Sequence, residues 1–188
     1  MPDTRKMLVA FGANVKTAEM SLAQTVRAAA HALASPAVAV TAISRLFASP
    51  CFPAGAGPDY INAAAMLETT LSPDDLLAHL HAVEAAFRRE RLQRWGQRTL
   101  DLDLLAAGDT VLPDAATQGH WRNLPAADQS RLTPPQLILP HPRLQDRAFV
   151  LVPIADIAPD WRHPLLGLTV LQMLDRLDPA DISAVTPL

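Results

Sequence analysis

The hydrophobic positions in the first half of the chain fall into six segments with two different periods. Four short apolar or alternating runs predict strands, at 7–11, 38–47, 60–69 and 98–106. Two stretches with helical spacing predict helices, at 17–34 and 72–87. The second helix has a well-marked start, because Ser72 is a good N-cap and Pro73 is favoured at the first helical position. The order β-α-β-β-α-β predicts an α+β fold with a ferredoxin-like core, in which helices pack on an antiparallel sheet.

The second half of the chain carries weaker signals. A polar, proline-bearing stretch at about 113–136 shows no periodicity and reads as an extended insertion. The sequence indicates no role for this insertion, and we expect the protein to retain its activity when part of the insertion is deleted. Beyond it we predict a C-terminal strand at 149–153 and a short amphipathic helix at 169–177. Neither an internal repeat nor a linker interrupts the pattern, so we predict a single domain over residues 1–188.

Composition narrows the class of protein. Of the 188 residues 49% are hydrophobic, but no apolar run reaches the length that spans a membrane. The first residues lack the apolar stretch of a secretory signal, and the lone Cys51 suits a reducing compartment, so we expect a cytoplasmic protein. A net charge of −3 gives no global field for nucleic acid. We therefore expect neither a membrane nor a nucleic acid as partner.

The strand at 98–106 carries the most informative chemistry. Leu100, Leu102 and Leu104 alternate with Asp101 and Asp103, so the leucines can face a core while both carboxylates share the other face. Two close carboxylates repel each other unless a cation lies between them, and Mg²⁺ prefers such oxygen ligands. The alternative is a solvated strand face, which is the usual explanation for an arbitrary pair of this kind.

An arginine cluster lies just upstream of the acidic strand, and consists of Arg88, Arg89, Arg91, Arg94 and Arg98. Guanidinium groups are forked donors that fit phosphate oxygens, so the cluster and the acidic strand together indicate a metal-nucleotide site. Cations at an exposed helix end would account for one or two of these arginines. Nucleic-acid binding is the other alternative, but the two nearby acids would repel a phosphate backbone.

Several further polar and aromatic residues could line a pocket. Trp95 could equally be a core residue or a stacking surface for a planar ring. Tyr60 and Asn62 share one face of the third strand, where an amide could recognise the edge of a heterocycle, although both could be ordinary strand residues. His141, taken alone, would be structural. The glycine-rich motif of P-loop proteins does not occur.

The segment from Arg94 to Asp103, RWGQRTLDLD, resembles the signature of the 6-hydroxymethyl-7,8-dihydropterin pyrophosphokinase family. Other matches follow in family order from about residue 7 to 153: Gly12-Ala13-Asn14, Ser49-Pro50, Tyr60, Asn62, Glu84, Arg89, Arg91, Pro140-His141 and Arg147-x-Phe149. The chain departs from the family pattern at Gln97, Arg88 and Ala13, where proline, glycine and serine are usual. We expect these departures to be tolerated.

This resemblance implies that pyrophosphate is transferred from ATP to the 6-hydroxymethyl oxygen of the dihydropterin, with two Mg²⁺ ions and AMP as product, in folate biosynthesis. It implies that Asp101 and Asp103 hold the metals and act in catalysis with Arg89 and Arg98. The implied ATP-binding residues are Glu84, Arg89, Arg91, Arg94, Arg98, Leu104, His141 and Arg147. The implied pterin-binding residues are Ser49, Pro50, Phe52, Tyr60, Asn62, Trp95, Asp101 and Phe149. We expect a monomer.

Two other functions fit parts of the pattern. A nucleotide-sugar transferase also uses two aspartates to hold a metal-bound diphosphate, but it usually needs a larger nucleotide-binding domain. A ferredoxin-like nucleic-acid-binding module predicts aromatic pairs on its central strands and a basic face. Here the acidic strand carries two carboxylates instead, which favours the enzyme.

Overall fold

The computed structural model describes residues 4–17, 19–51, 57–87, 99–129 and 131–188. Its strands are β1 (Arg5–Ala13), β2 (Val38–Ile43), β3 (Phe47–Ser49), β4 (Tyr60–Thr69), β5 (Asp101–Ala107) and β6 (Thr186–Pro187). Its helices are α1 (Leu22–Ala32), α2 (Pro73–Ala86), α3 (Ala115–Arg122), α4 (Ala126–Gln129), α5 (Ala148–Ile157), α6 (Val170–Leu174) and α7 (Pro179–Ser183), with a 3₁₀ turn at Leu144–Asp146.

The sheet has the predicted antiparallel arrangement. Its strand order is β5-β1-β4-β3-β6, and β2 pairs with β4 beyond the end of β3. Strand β1 therefore lies between β4 and β5, which brings the start of the chain beside the acidic strand. The strand runs through Gly12 to Ala13, two residues further than the sequence predicted. The predicted ferredoxin-like core is confirmed.

Helices cover both faces of this sheet, and β1 shows why. Its residues Met7, Val9 and Phe11 pack in one apolar cluster, under α1 and α2. Its intervening residue Leu8 packs in a second cluster on the opposite face, with α5 and α6. Because successive side chains point to opposite faces, a strand that is apolar at every position requires two covering layers.

An irregularity in β5 sets which residues face each layer. Leu8 pairs with Ala106 and Val9 with Leu104, so Leu105 is an extra residue opposite β1. Such a bulge interrupts strict alternation, and Leu105 and Ala106 both pack in the layer that contains α5. Before the bulge the alternation is regular, so Leu102 and Leu104 face the α2 layer and the two aspartates face the other way.

The predicted strand at 38–47 is divided in two. Strand β2 ends at Ile43 and β3 begins at Phe47. At the break, the Ser44 hydroxyl accepts a hydrogen bond from the Ala64 backbone N–H at 2.9 Å, and a register shift lies between Val40 and Ala42. A side chain that bonds to neighbouring backbone competes with regular strand pairing.

The predicted strand at 149–153 is wrong: this segment belongs to helix α5. The run is almost continuously apolar, so periodicity could not distinguish a buried strand from a buried helix. In the structure Val150, Leu151 and Ile154 are buried at helical spacing and pack against the sheet. The segment forms a helix because the second face of the sheet needs an apolar covering layer, which α5 provides.

Other helix boundaries also differ from the predictions. Helix α1 begins at Leu22 rather than 17, because Ser21 and Gln24 form a capping box there. The predicted helix at 169–177 is shorter, with α6 ending at Leu174. The insertion at 113–136, for which no element was predicted, contains α3 and α4. Asp114 caps α3 by accepting from the Thr117 backbone N–H at 2.8 Å.

Candidate active site

The two predicted metal ligands, Asp101 and Asp103, lie at the start of β5 on the face opposite Leu102 and Leu104. Both aspartates are half-buried, whereas both leucines are buried in the α2 layer. The predicted alternation is therefore confirmed. It places two carboxylates side by side at the edge of the layer that contains α5.

Glu84 forms a hydrogen bond to this strand from the side of the sheet that α2 covers. It lies on α2, is only 1% exposed, and its Oε1 accepts a hydrogen bond from the Leu102 backbone N–H at 2.8 Å. That N–H belongs to the residue between the two aspartates. Glu84 was predicted to bind ATP, which stays a prediction. The contact that the structure shows is with the strand that carries the aspartates.

Leu104 was also predicted to contact the nucleotide. Its side chain is 3% exposed and packs in the apolar cluster beneath the sheet. Because it alternates with Asp103, it points away from the acidic face. A nucleotide could reach only its backbone.

Gly12 lies between the acidic strand and the predicted pterin side. It pairs with Asp101 of β5 on one side and with Asn62 of β4 on the other. A Cβ at this position would lie 3.8 Å from both Asn62 Oδ1 and a Tyr60 ring carbon. The absent side chain thus leaves an open floor between an amide, an aromatic ring and two carboxylates.

A small pocket of about 50 Å³ lies over this floor. It is lined by Ala10, Phe11, Gly12, Tyr60, Asn62, Asp101, Asp103, Phe149 and Val150. Five of the predicted site residues are among them. Residues that are far apart in the sequence, on β1, β4, β5 and α5, are thus brought together around one pocket.

The amide of Asn62 is held in one orientation. Its Nδ2 donates a hydrogen bond to the Ser49 hydroxyl at 2.8 Å, and both residues are buried. Strand β3 provides this partner, because Ser49 pairs with Tyr60 at the end of the β3–β4 ladder. The predicted Pro50 follows Ser49 and is exposed. A fixed donor and acceptor suit recognition of a heterocycle edge.

A cationic segment approaches the acids from the other side. Burial lowers the pKa of Arg147, while the charges of Asp103 and Asp101 act to raise it, so this guanidinium lies within electrostatic range of both aspartates. The guanidinium also lies over the Phe149 ring, with 5.7 Å between its central carbon and the ring centroid. Phe149 is the second residue of α5 and is 37% exposed, so its ring is accessible for stacking.

His141 is tied to the acidic strand through its backbone. Its N–H donates to the Leu105 carbonyl at 2.8 Å, and its Nδ1 accepts from the Arg143 backbone N–H at 3.1 Å. Burial and the nearby cations Arg147 and Arg143 lower the pKa of His141 to about 3. The ring is therefore neutral near pH 7, with its proton on Nε2, where it can donate to an anion.

The residues present fit Mg²⁺. Mg²⁺ is usually bound by one or two carboxylates together with phosphate oxygens and waters, rather than by a cage of protein ligands. Asp101 and Asp103 provide two carboxylates beside a pocket and near cations that suit phosphate. Among the described residues no group of three or more His, Cys, Asp or Glu side chains could hold a metal ion, so a closed protein cage is absent there.

Six predicted site residues lie outside the residues that the structure describes: Phe52, Arg89, Arg91, Arg94, Trp95 and Arg98. Sequence reasoning did not single out Val150, which lines the pocket, or Gln118 and Arg143, which contact the segment around His141. No periodic pattern or motif marks these three residues. Only the position of Arg143 two residues after His141 could have drawn attention to it.

Comparison with known proteins decides the family. The chain matches the model of the 7,8-dihydro-6-hydroxymethylpterin-pyrophosphokinases (HPPK) over residues 8–159. It belongs to this family. The predicted family is therefore confirmed. The match includes the acidic strand, the Gly12 floor and His141, so the HPPK pattern and the pocket coincide.

Curated relatives of this HPPK-family chain are named 2-amino-4-hydroxy-6-hydroxymethyldihydropteridine pyrophosphokinase. The protein of Methylorubrum extorquens is 34% identical over 175 residues, which cover 93% of this chain and 95% of the relative. The protein of Synechocystis sp. is 44% identical over 130 residues, which cover 69% of this chain. The match spans only 56% of the Synechocystis relative's length.

A solved structure with the same fold is that of wild-type Plasmodium falciparum HPPK-DHPS. Its TM-score is 0.63 at 12% identity, and the match covers 93% of this chain and 45% of the solved chain. At this identity the likeness shows the fold alone. None of the helices in the described ranges combines the length and the apolar character needed to cross a membrane.

Proposed function

We propose that this chain transfers pyrophosphate from ATP to the 6-hydroxymethyl oxygen of 6-hydroxymethyl-7,8-dihydropterin, in folate biosynthesis. The observation that carries the proposal is the pocket in which Asp101 and Asp103 adjoin Asn62 across the floor formed by Gly12. Membership of the HPPK family supports it. A site of this kind needs little covalent chemistry from the protein, since positioning and charge do most of the work in phosphoryl-type transfer.

In the proposed reaction the hydroxymethyl oxygen forms a bond to the β-phosphorus of ATP. The bond from the β-phosphorus to the oxygen bridging to the α-phosphorus breaks, and AMP leaves with that oxygen. The hydroxyl proton is released to solvent. The products are the pterin diphosphate and AMP, and no covalent intermediate on the protein is required.

The acidic residues would hold the metal. Asp101 and Asp103 would hold two Mg²⁺ ions, which would supply positive charge to offset that of the phosphate chain. Glu84 keeps the intervening backbone of β5 in place through its bond to Leu102. The protein's part is to fix the separation and direction of the two carboxylates before the substrates arrive.

The cationic residues would bind the triphosphate. Arg147 lies within electrostatic range of the aspartates, and His141 presents a neutral Nε2–H. The arginines at 89, 91, 94 and 98 and Glu84 complete the proposed ATP site, as the family pattern implies. These donors would offset the charge that moves to the leaving group.

The pterin would lie on the opposite side of the pocket. Phe149 and Trp95 would sandwich the ring, while Phe52 and Tyr60 would wall the pocket. Asn62, fixed by Ser49, would recognise the ring's edge. In this arrangement the hydroxymethyl group would face the acidic strand, towards the β-phosphorus of ATP.

We further propose that the protein is a cytoplasmic monomer. A reducing compartment suits its single cysteine. Light scattering of the purified chain with and without ATP would give the molar mass, and a mass of twice 20.3 kDa would contradict the monomer.

The test of the proposed function is product identity. Protein, Mg²⁺, ATP and 6-hydroxymethyl-7,8-dihydropterin are mixed and the nucleotides are separated, with a reaction lacking pterin as the control. AMP formed only with pterin would support pyrophosphoryl transfer. ADP would indicate transfer of a single phosphoryl group, and no turnover by a folded sample would refute the proposed activity.

A further inference from the structure

The insertion at 113–136 packs back against the segment that carries His141. Leu112, just before it, and Leu139, just after it, exchange two backbone hydrogen bonds of 2.8 and 3.1 Å. The two ends of the insertion are thus held together beside β5. Helix α3 lies within this closed segment, so its side chains can reach the residues that follow Leu139.

Gln118 is the first link between α3 and the His141 segment. It is fully buried, and its Nε2 donates to the Pro140 carbonyl at 3.1 Å. Its Oε1 accepts from Arg122 Nη1 at 3.2 Å. A buried amide with both ends bonded has a single orientation. Gln118 therefore fixes the residue immediately before His141.

Arg143 is the second link, on the other side of His141. Its guanidinium donates to the Trp121 and Arg122 carbonyls, at 3.1 and 3.0 Å, which are the last carbonyls of α3. A cation at a helix C-terminus is favourable, because the last carbonyls lack partners within the helix. The backbone N–H of the same residue donates to His141 Nδ1 at 3.1 Å.

The two links together determine the state of the imidazole. The N–H of Arg143 occupies Nδ1, so the ring proton is on Nε2. The His141 backbone is bonded to Leu105 of the acidic strand, and Arg147 lies in electrostatic range of both His141 and Asp103. The orientation of Nε2–H relative to the acidic site thus depends on residues 140 and 143, which α3 holds.

We infer that α3 is a positioning element for the ATP side of the site, and that Gln118 and Arg143 act by fixing the ring orientation and tautomer of His141. The inference rests on the proposed function, which places His141 against the triphosphate. It revises the expectation from sequence that the insertion could be shortened without effect. His141, which would donate to the phosphate, follows the insertion in the chain, whereas the contacts that orient its ring come from α3 within the insertion.

Gln118→Met tests this inference, because it retains the length of the side chain and removes both amide hydrogen bonds. Gln129→Met is the matched control, since Gln129 lies in the same insertion and its Nε2 donates to the Leu124 carbonyl, away from residues 140–143. A misplacement of about 1 Å can cost about a hundredfold. We expect Gln118→Met to raise KM for ATP by less, about tenfold, because the His141 backbone keeps its bond to Leu105 and limits the shift of the ring. KM for the pterin and both constants of Gln129→Met should stay at wild-type values.

A spectroscopic measurement separates positioning from a loss of folded protein. Long-range ¹H–¹⁵N correlation of His141 should show an unprotonated Nδ1 and a protonated Nε2 in the wild type and in Gln129→Met. In Gln118→Met the ¹⁵N chemical shifts of the two ring nitrogens should move towards the values of a mixture of tautomers. If Gln118→Met unfolds, Arg143→Met provides a second test, because it removes the bonds to the α3 carbonyls, together with a longer contact of 3.5 Å to Asp146, and keeps the backbone N–H that donates to His141 Nδ1.

Wild-type KM for ATP and an unchanged His141 spectrum in Gln118→Met would overturn the inference. A lower kcat with unchanged KM and spectrum would also overturn it, because that result indicates only a smaller folded fraction. If the wild type makes no AMP, the proposed function fails, but the spectrum still decides whether Gln118 fixes the tautomer.

Discussion

Replacing Glu84 with alanine should lower the free energy of unfolding of the domain, because this buried carboxylate forms a hydrogen bond between α2 and the acidic strand. The Glu84→Ala change removes a hydrogen bond to a charged acceptor, worth about 1.5–3 kcal/mol. It also removes one buried methylene, worth about 0.8 kcal/mol. The released cost of burying the carboxylate offsets part of the loss, and we expect a net destabilisation of about 2–3 kcal/mol. At about 2–4 °C per kcal/mol for a domain of this size, Tm should fall by about 4–12 °C.

Glu84→Gln separates the structural role from the predicted contact with ATP. The glutamine retains an acceptor for the Leu102 N–H, so it should cost only about 1 kcal/mol, the difference between a charged and a neutral acceptor. If the charge of Glu84 also serves ATP, this variant should raise KM for ATP while the stability remains near that of the wild type.

Urea unfolding of the purified variants measures both effects. Glu19→Ala is the control, because Glu19 is exposed and its loss should change the unfolding free energy by less than about 0.5 kcal/mol. A Glu84→Ala protein as stable as this control would refute the reasoning. It would mean that the Leu102 N–H is satisfied equally well without the carboxylate.

Three further predictions concern the pocket and the pH dependence of stability. Asp101→Asn and Asp103→Asn should each lower turnover by about a hundredfold or more, the scale of losing one transition-state charge contact. Each should leave Tm near the wild-type value in the absence of Mg²⁺, and near-normal rates would contradict the metal assignment. Ser49→Ala should raise KM for the pterin about fivefold, since Asn62 loses a buried hydrogen bond worth about 1 kcal/mol, with KM for ATP unchanged. Burial, with a smaller effect of the nearby Arg122 charge, lowers the pKa of His163 from 6.5 to about 4. As pH falls, the unfolded chain therefore takes up this proton at a higher pH than the folded chain does. The free energy of unfolding should thus decrease as pH drops from 6.5 towards 4. His163→Asn, which can still accept the Leu165 and Leu166 N–H bonds, should lose less stability over that range in thermal melts, and an equal loss would contradict the role of His163.

The sequence alone determined the elements whose pattern is local. Alternation around Asp101 and Asp103 fixed their shared face, because side-chain direction in a strand has a period of two residues. Ser72 and Pro73 marked the start of α2 for an equally local reason, since capping involves only neighbouring backbone. The ordered family residues then predicted a pterin pyrophosphokinase, and the family comparison confirmed the family.

Tertiary structure decided what depends on distant partners. The apolar run at 148–157 is a helix because an uncovered face of the sheet selects it, and nothing within the run specifies that choice. The bond from Glu84 to Leu102 joins residues 18 positions apart, and Gln118 reaches Pro140 across 22. A sequence pattern records the preference of each segment for its own conformation. Buried hydrogen bonds between segments exist only after packing has excluded water and left each polar group with one available partner.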